Sequence, residues 1–235
     1  MNIWYITNLF PCDANPASGI FIHHRLKEIK EKHFAEFRVF CAPCYKNSSG
    51  IRFIFKILHK ENSNCPQQSK IDGIDYTYVQ IHRNIFALLR QKCLPNLNQA
   101  LEITFSKGIL KHLPNNTPKL IHAHGMYEVA AGNVARLISE RTGIPYVITL
   151  HGSDVNIVMR KRTANYVDTL ENASKCIFVS KALLKKAKSF GYSGRNGIVI
   201  PNGYDTKIFY PMDKDTVRKN LGVYRPNLKY VGFVG

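Results

Sequence analysis

The sequence predicts an α/β protein built on a doubly wound, mostly parallel sheet with helices on both faces. Three observations carry the prediction. Strand-like and helix-like stretches alternate along all 235 residues, the pattern of a parallel sheet wound by right-handed crossovers. Residues 145–155, PYVITLHGSDV, read as a strand covered on both faces that runs straight into polar side chains. A hydrophobic content of 45% at this length is enough for one good core.

Residues 1–8 form the first strand, with Ile3, Trp4, Tyr5 and Ile6. A loop rich in Pro, Asn and Asp closes at Gly19, and a helix begins at Ile20. Ile22, Leu26 and Ile29 share one face of it, while Arg25, Lys27, Lys30 and Lys32 lie off that face. A strand, glycine loop and helix in this order offer free backbone N–H groups and a positive helix end to an anion. They equally make an ordinary βα turn. Residues 37–44 read as the second strand. Residues 46–69 are irregular and hold a basic-aromatic run, IRFIFKILHK at 51–60, which suits a membrane-surface helix or a short core helix. Residues 73–81 are a strand, and residues 84–113 are two helices broken at Pro95, the first apolar and cationic enough for a second membrane contact.

Residues 119–124, KLIHAH, form a strand in which His122 and His124 share a face, because strand side chains alternate. A helix over 127–141 buries Ala130, Ala131, Val134, Leu137 and Ile138 and ends at Gly143. It delivers the strand that stops at His151. Ligands of open parallel sheets bind outside the carboxyl ends of the strands, so His151, Gly152, Ser153 and Asp154 stand where such a fold keeps its site. Residues 156–173 are expected to be helical and carry Arg160, Lys161 and Arg162. Residues 175–179 form a strand, and Ser180 caps a helix over 181–190. A strand at 197–200, the turn Pro201-Asn202-Gly203-Tyr204-Asp205, a short helix at 214–221 and the start of a strand at 229–234 complete the chain.

Lys and Arg outnumber Asp and Glu by 33 to 16, a formal charge of +17. That field favours anionic partners such as sugar nucleotides, lipid phosphates or nucleic acid. No window approaches the ~18 to 20 apolar residues of a membrane span. The chain opens on a strand with no basic leader, so a cytoplasmic location is expected. Of six cysteines, only Cys41 and Cys44 are closely spaced. No second pair completes a zinc ribbon, and a strand end does not lower a thiol pKa as a helix start does. Reduced, structural cysteines are expected.

On these residues the chain resembles the N-terminal domain of a glycosyltransferase of family 4, a retaining enzyme of the GT-B fold. The resemblance rests on Gly19 before Phe21, IHAHG at 121–125, PYVITLHGSD at 145–154, ASKCIFVSKAL at 173–183 and VIPNGYDTKIFYP at 199–211. The last block is the most specific, while residues 45–115 match in layout only. The resemblance implies a Rossmann-like, acceptor-binding N-terminal half at 1–210, an interdomain linker with a short helix at 211–227, and at 228–235 the first-strand stub of an absent donor-binding domain. It implies sugar transfer from a nucleotide-sugar donor to a polysaccharide or lipid-linked acceptor, with no metal or other cofactor and no nucleic acid. The parent would be cytoplasmic and peripheral on the inner face of the membrane, and these residues alone would be inactive.

The resemblance also implies roles. His151 is the catalytic candidate, reaching toward the donor sugar from an open, solvent-exposed face. Gly19 and Gly152 let backbone approach donor phosphates or acceptor. Asn202, Gly203 and Asp205 form a turn at the cleft edge, where Asp205 serves the ligand or the turn itself. His124 lines the acceptor pocket or bonds to adjacent backbone. Asp154 contacts the acceptor or caps the following helix. Arg160, Lys161 and Arg162 are a solvated face or meet an anionic acceptor or membrane surface. Two other classes compete. His122, His124 and His151 could supply three ligands to a hydrolytic zinc, although no carboxylate lies at ligand spacing. A basic nucleic-acid-binding module fits the charge, but the chain lacks a helix-turn-helix pattern, a zinc finger or aromatics interleaved on a sheet face.

Overall fold

The computed structural model describes residues 2–11, 17–33, 36–47, 68–83, 97–113, 117–127 and 129–232. The chain falls into two compact units, Met1–Pro201 and Asn202–Gly235.

The first unit is one eight-stranded sheet. Its strands are β1 (Asn2–Thr7), β2 (Glu36–Asn47), β3 (Gln68–Ile71), β4 (Ile74–Arg83), β5 (Leu120–His124), β6 (Tyr146–Leu150), β7 (Lys175–Phe178) and β8 (Gly197–Val199). Their order across the sheet is β3-β4-β2-β1-β5-β6-β7-β8. Every pairing is parallel except β3 with β4. That exception is a hairpin whose two-residue turn, Asp72-Gly73, has positive φ at both positions (48° and 74°). Asp-Gly is a strong local hairpin signal because both residues tolerate that backbone, yet residues 46–69 had read as irregular. β2 runs on to Asn47, three residues past its expected end, and its register to β4 shifts between Cys41 and Cys44. Pro43 lies inside that shift, where a residue without an N–H is tolerated.

The helices are α1 (Ile20–His33), α2 (Leu97–Leu110), α3 (Ala131–Thr142), α4 (Thr163–Asn172) and α5 (Lys181–Ser189). They cover both faces. Alternate residues of β1 feed two separate cores: Ile3 and Tyr5 pack with Ile22 and Leu26 of α1, while Trp4 and Ile6 pack with Phe105 and Ile109 of α2 and Val134 and Ile138 of α3. Two helix ends follow their sequence signals. Gly143 takes a left-handed φ of 71° and its N–H closes on Ser139. Ser180 Oγ accepts the Leu183 N–H at 3.1 Å. Cys41 and Cys176 are both buried. Residues 51–60 and 84–96 lie outside the described residues, so neither proposed membrane contact there is placed. Among the described residues no helix is long and apolar enough to cross a membrane.

Two expected elements are corrected. The helix expected over 156–173 is three pieces: a π turn at Asp154–Val158, a 3-10 turn at Met159–Lys161 and α4. In the second unit, α6 (Lys214–Asn220) forms, capped by Asp213, whose Oδ1 accepts the Thr216 N–H at 2.8 Å. Residues 229–232, however, form no strand. A strand exists only as part of a hydrogen-bonded ladder, and among the described residues none supplies its partner.

Candidate active site

Parallel register brings the site together. Thr7 of β1 pairs with His124 of β5, and His124 pairs with Thr149 of β6. The three carboxyl ends therefore lie level, and His151 emerges beside His124. On the same sheet face Tyr5, His122, His124 and His151 form a ladder of rings. Centroids are 5.0 Å apart for Tyr5 and His122, 4.4 Å for His122 and His124, and 5.5 Å for His124 and His151. The two histidine pairs are stacked, at 26° and 16° between planes.

Hydrogen bonds fix part of this ladder. His122 Nε2 meets Thr149 Oγ1 at 2.8 Å, and His124 Nδ1 meets His151 Nε2 at 3.3 Å. The remaining nitrogens of the second pair, His124 Nε2 and His151 Nδ1, are buried with no partner among the described residues. Burial, reinforced by the positive charge of Arg25 on α1, holds the rings neutral. It takes His122 down to about 3 and His151 to about 4, and His124 well below its usual value. Burial also pushes the Tyr5 hydroxyl up to about 12, with Arg25 opposing. The ladder is therefore a neutral, polar surface with a cation beside it.

The turn after β6 is held by Asp154. Its carboxylate accepts the N–H groups of His151 at 3.0 Å, Gly152 at 2.8 Å and Val155 at 3.0 Å. Asp154 is not the cap of a following helix: it is the first residue of the π turn, its carboxylate ties down the turn ahead of it, and its side chain is fully buried. Gly152, at φ 151°, lets the chain leave the strand for the π turn. Gly19 also answers to its own chain: at φ 63° its α-carbon sits against the Leu9 carbonyl, where any Cβ would collide. Its carbonyl accepts the Ile22 N–H at 2.8 Å and starts α1.

His151 is half-buried, not at the open face the sequence reading gave it. Phe21 helps cover it. The Phe21 ring meets His151 edge-on at 4.8 Å while staying 41% exposed. The sequence reading named Phe21 only as part of the resemblance and gave it no role at the site, although a large apolar residue off the buried stripe of α1 was an available signal. It missed Thr149 too, whose value lies only in the cross-strand register.

The basic trio separates. Arg160 and Lys161 are exposed on the 3-10 turn. Arg162 does not belong with them: its guanidinium is bidentate on buried Glu102, at 2.8 and 3.2 Å. Glu102 also accepts the Ala130 N–H at 2.9 Å and Asn133 Nδ2 at 3.0 Å. A buried carboxylate needs such a partner, and Glu102 lies 60 residues away in sequence. Asn202, Gly203 and Asp205 are exposed in the second unit, where Asp205 Oδ1 accepts the Lys207 N–H at 2.8 Å. Among the described residues no group of three His, Cys, Asp or Glu is placed to hold a metal ion. The three imidazoles of the hydrolase reading are stacked instead.

Known proteins can now be set beside this geometry. The sequence profile of Glycosyltransferase Family 4 matches residues 66–208. TuaC of Bacillus subtilis (strain 168), a glycosyltransferase provisionally named for teichuronic acid biosynthesis, is 29% identical over 230 residues, covering 95% of this chain and 55% of TuaC. The fold is similar to that of sucrose-phosphate synthase from Thermosynechococcus elongatus, with a TM-score of 0.61 at 15% identity over 94% of this chain and 53% of that one. It is also similar to Anabaena HepE, solved with UDP and glucose, with a TM-score of 0.51 at 18% identity over 94% of this chain and 50% of that one. The chain thus spans about half the length of these proteins. It belongs to glycosyltransferase family 4 and has the Rossmann-like architecture of the N-terminal domain of the GT-B fold.

Proposed function

We propose that the carboxyl ends of β1, β5 and β6 form one wall of the cleft of a retaining glycosyltransferase. The enzyme moves a sugar from a nucleotide donor to a glycan or lipid-linked acceptor, and neither metal nor other cofactor takes part. The observation that carries this reading is the neutral His151, coming directly off the site end of the sheet with a buried Nδ1 that has no partner among the described residues. A sugar developing oxocarbenium character carries positive charge. A neutral imidazole can hydrogen-bond one of its hydroxyls without repelling that charge, whereas an imidazolium would oppose it. Arg25 adds positive potential on the side of an anionic ligand group. Family membership, the name of TuaC and the UDP and glucose held by HepE support the donor and acceptor classes.

The test is His151→Ala in the full-length enzyme, with the 235-residue chain as a control that leaves sugar nucleotide unconsumed. The expected outcome is a fall in turnover of roughly 10²-fold or more, the scale of one lost transition-state contact. Wild-type turnover in that variant, or turnover by the control chain, refutes the reading.

A further inference from the structure

We propose that His124 is a positioning residue for His151: it touches no ligand and decides whether His151 offers a donor or an acceptor. The inference rests on the functional reading of His151 just given. It starts from one contact, His124 Nδ1 to His151 Nε2 at 3.3 Å. A neutral imidazole carries one N–H and one bare nitrogen, so this contact is a hydrogen bond in only two of four combinations. If His124 donates from Nδ1, His151 Nε2 is bare and its proton sits on Nδ1. If His151 donates from Nε2, its Nδ1 is bare, and so is His124 Nδ1. In both cases the two rings share the same tautomer. The mixed combinations set two N–H groups or two lone pairs against each other.

The surroundings make His124 the fixed member. Its side chain is fully buried on β5, and its ring stacks on those of His122, at 4.4 Å, and Tyr5, at 5.8 Å. His151 lies beyond the end of β6, on the turn held by Asp154. Stacking therefore fixes the plane of His124, and the one hydrogen bond between the rings ties the tautomer of His151 to that of His124. The nitrogen left over on His151 is Nδ1, which no group among the described residues satisfies. A sugar hydroxyl can donate or accept there, and the shared tautomer selects which. The hydrogen bond made by one nitrogen of an imidazole sets what the other nitrogen can offer.

Nitrogen-detected NMR of the histidine rings tests it in the wild-type 235-residue chain. His124 and His151 are expected in the same tautomer, each a single species. Opposite tautomers, or a mixture at either ring, overturn the proposal, and this measurement needs no variant. In the full-length enzyme, His124→Phe keeps a flat ring but removes the bond, and turnover should fall at least tenfold. His124→Asn, whose amide reaches the Nδ1 position, should recover most of it. A Phe variant as active as wild type overturns the proposal. Undiminished turnover in His151→Ala overturns the functional reading beneath it. The two failures are distinguishable, because the ring tautomers report the pair whether or not chemistry takes place there.

Discussion

His151 shows what one residue gains from its neighbours. In water an imidazole titrates near ~6.5. Here burial and Arg25 hold His122 at about 3 and His151 at about 4. As pH drops below ~6.5, the unfolded chain takes up protons that the folded ladder refuses, so stability falls with pH until the folded values are reached. Above ~7 both states are neutral and the term vanishes. The urea midpoint is therefore expected to stay level above about pH 7 and to fall from about 6.5 to 5, before carboxylates titrate, as the unfolding free energy drops by up to ~1.4 kcal/mol per pH unit for each imidazole. A level midpoint across that window contradicts a buried, neutral ladder. The sequence showed His122 and His124 on one face and His151 at a strand end. It did not show that the three rings meet, because that depends on β5 and β6 pairing in one register.

At the scale of elements, Glu102 joins α2 to the start of α3 and to Arg162 ahead of α4. Removing one partner of a buried ion pair strands the other charge, at a cost of ~3 to 5 kcal/mol. Glu102→Ala should lower unfolding stability by about that amount in a denaturant titration, while Arg160→Ala, on the exposed turn, should change it by under ~0.5 kcal/mol. Equal effects would mean that Arg162 belongs with its exposed neighbours after all. This contrast explains what the sequence reading could resolve. Strands and capped helices declare themselves locally: the apolar run of β6, Gly143 and Ser180 each act within a few residues. Arg162 looks like Arg160 and Lys161 until a helix from 60 residues upstream arrives. The π turn was illegible for a related reason. Asp154 spends its carboxylate on the three N–H groups around it, which breaks a stretch whose composition is helical throughout.

For the whole molecule the outstanding quantity is charge, +17 over 235 residues. Arg160 and Lys161 are exposed near Ile157, itself 57% exposed, and Lys181, Lys185, Lys186 and Lys188 are exposed on α5. We propose that such a surface holds the protein to the anionic, cytoplasmic face of a membrane. Binding to phosphatidylglycerol vesicles should fade as salt shortens the screening length from ~10 Å at 0.1 M to ~3 Å at 1 M, and phosphatidylcholine vesicles should bind nothing. Each basic residue near a surface contributes ~1 kcal/mol, so replacing Arg160 and Lys161 by alanine should weaken binding roughly thirtyfold. Unchanged binding in the double variant removes that turn from the contact.

The two unpartnered nitrogens have a consequence for how this protein tolerates change. A buried polar atom without a partner costs ~1 to 3 kcal/mol, and among the described residues His124 Nε2 and His151 Nδ1 are both in that position. Apolar replacements at these places would make a sturdier, silent protein. Selection for heat resistance alone would therefore erode the ladder early, well before it touched Ile6 or Ile148 in the core. Ligand, by supplying the missing partner, would be the one addition that steadies the fold without disarming it.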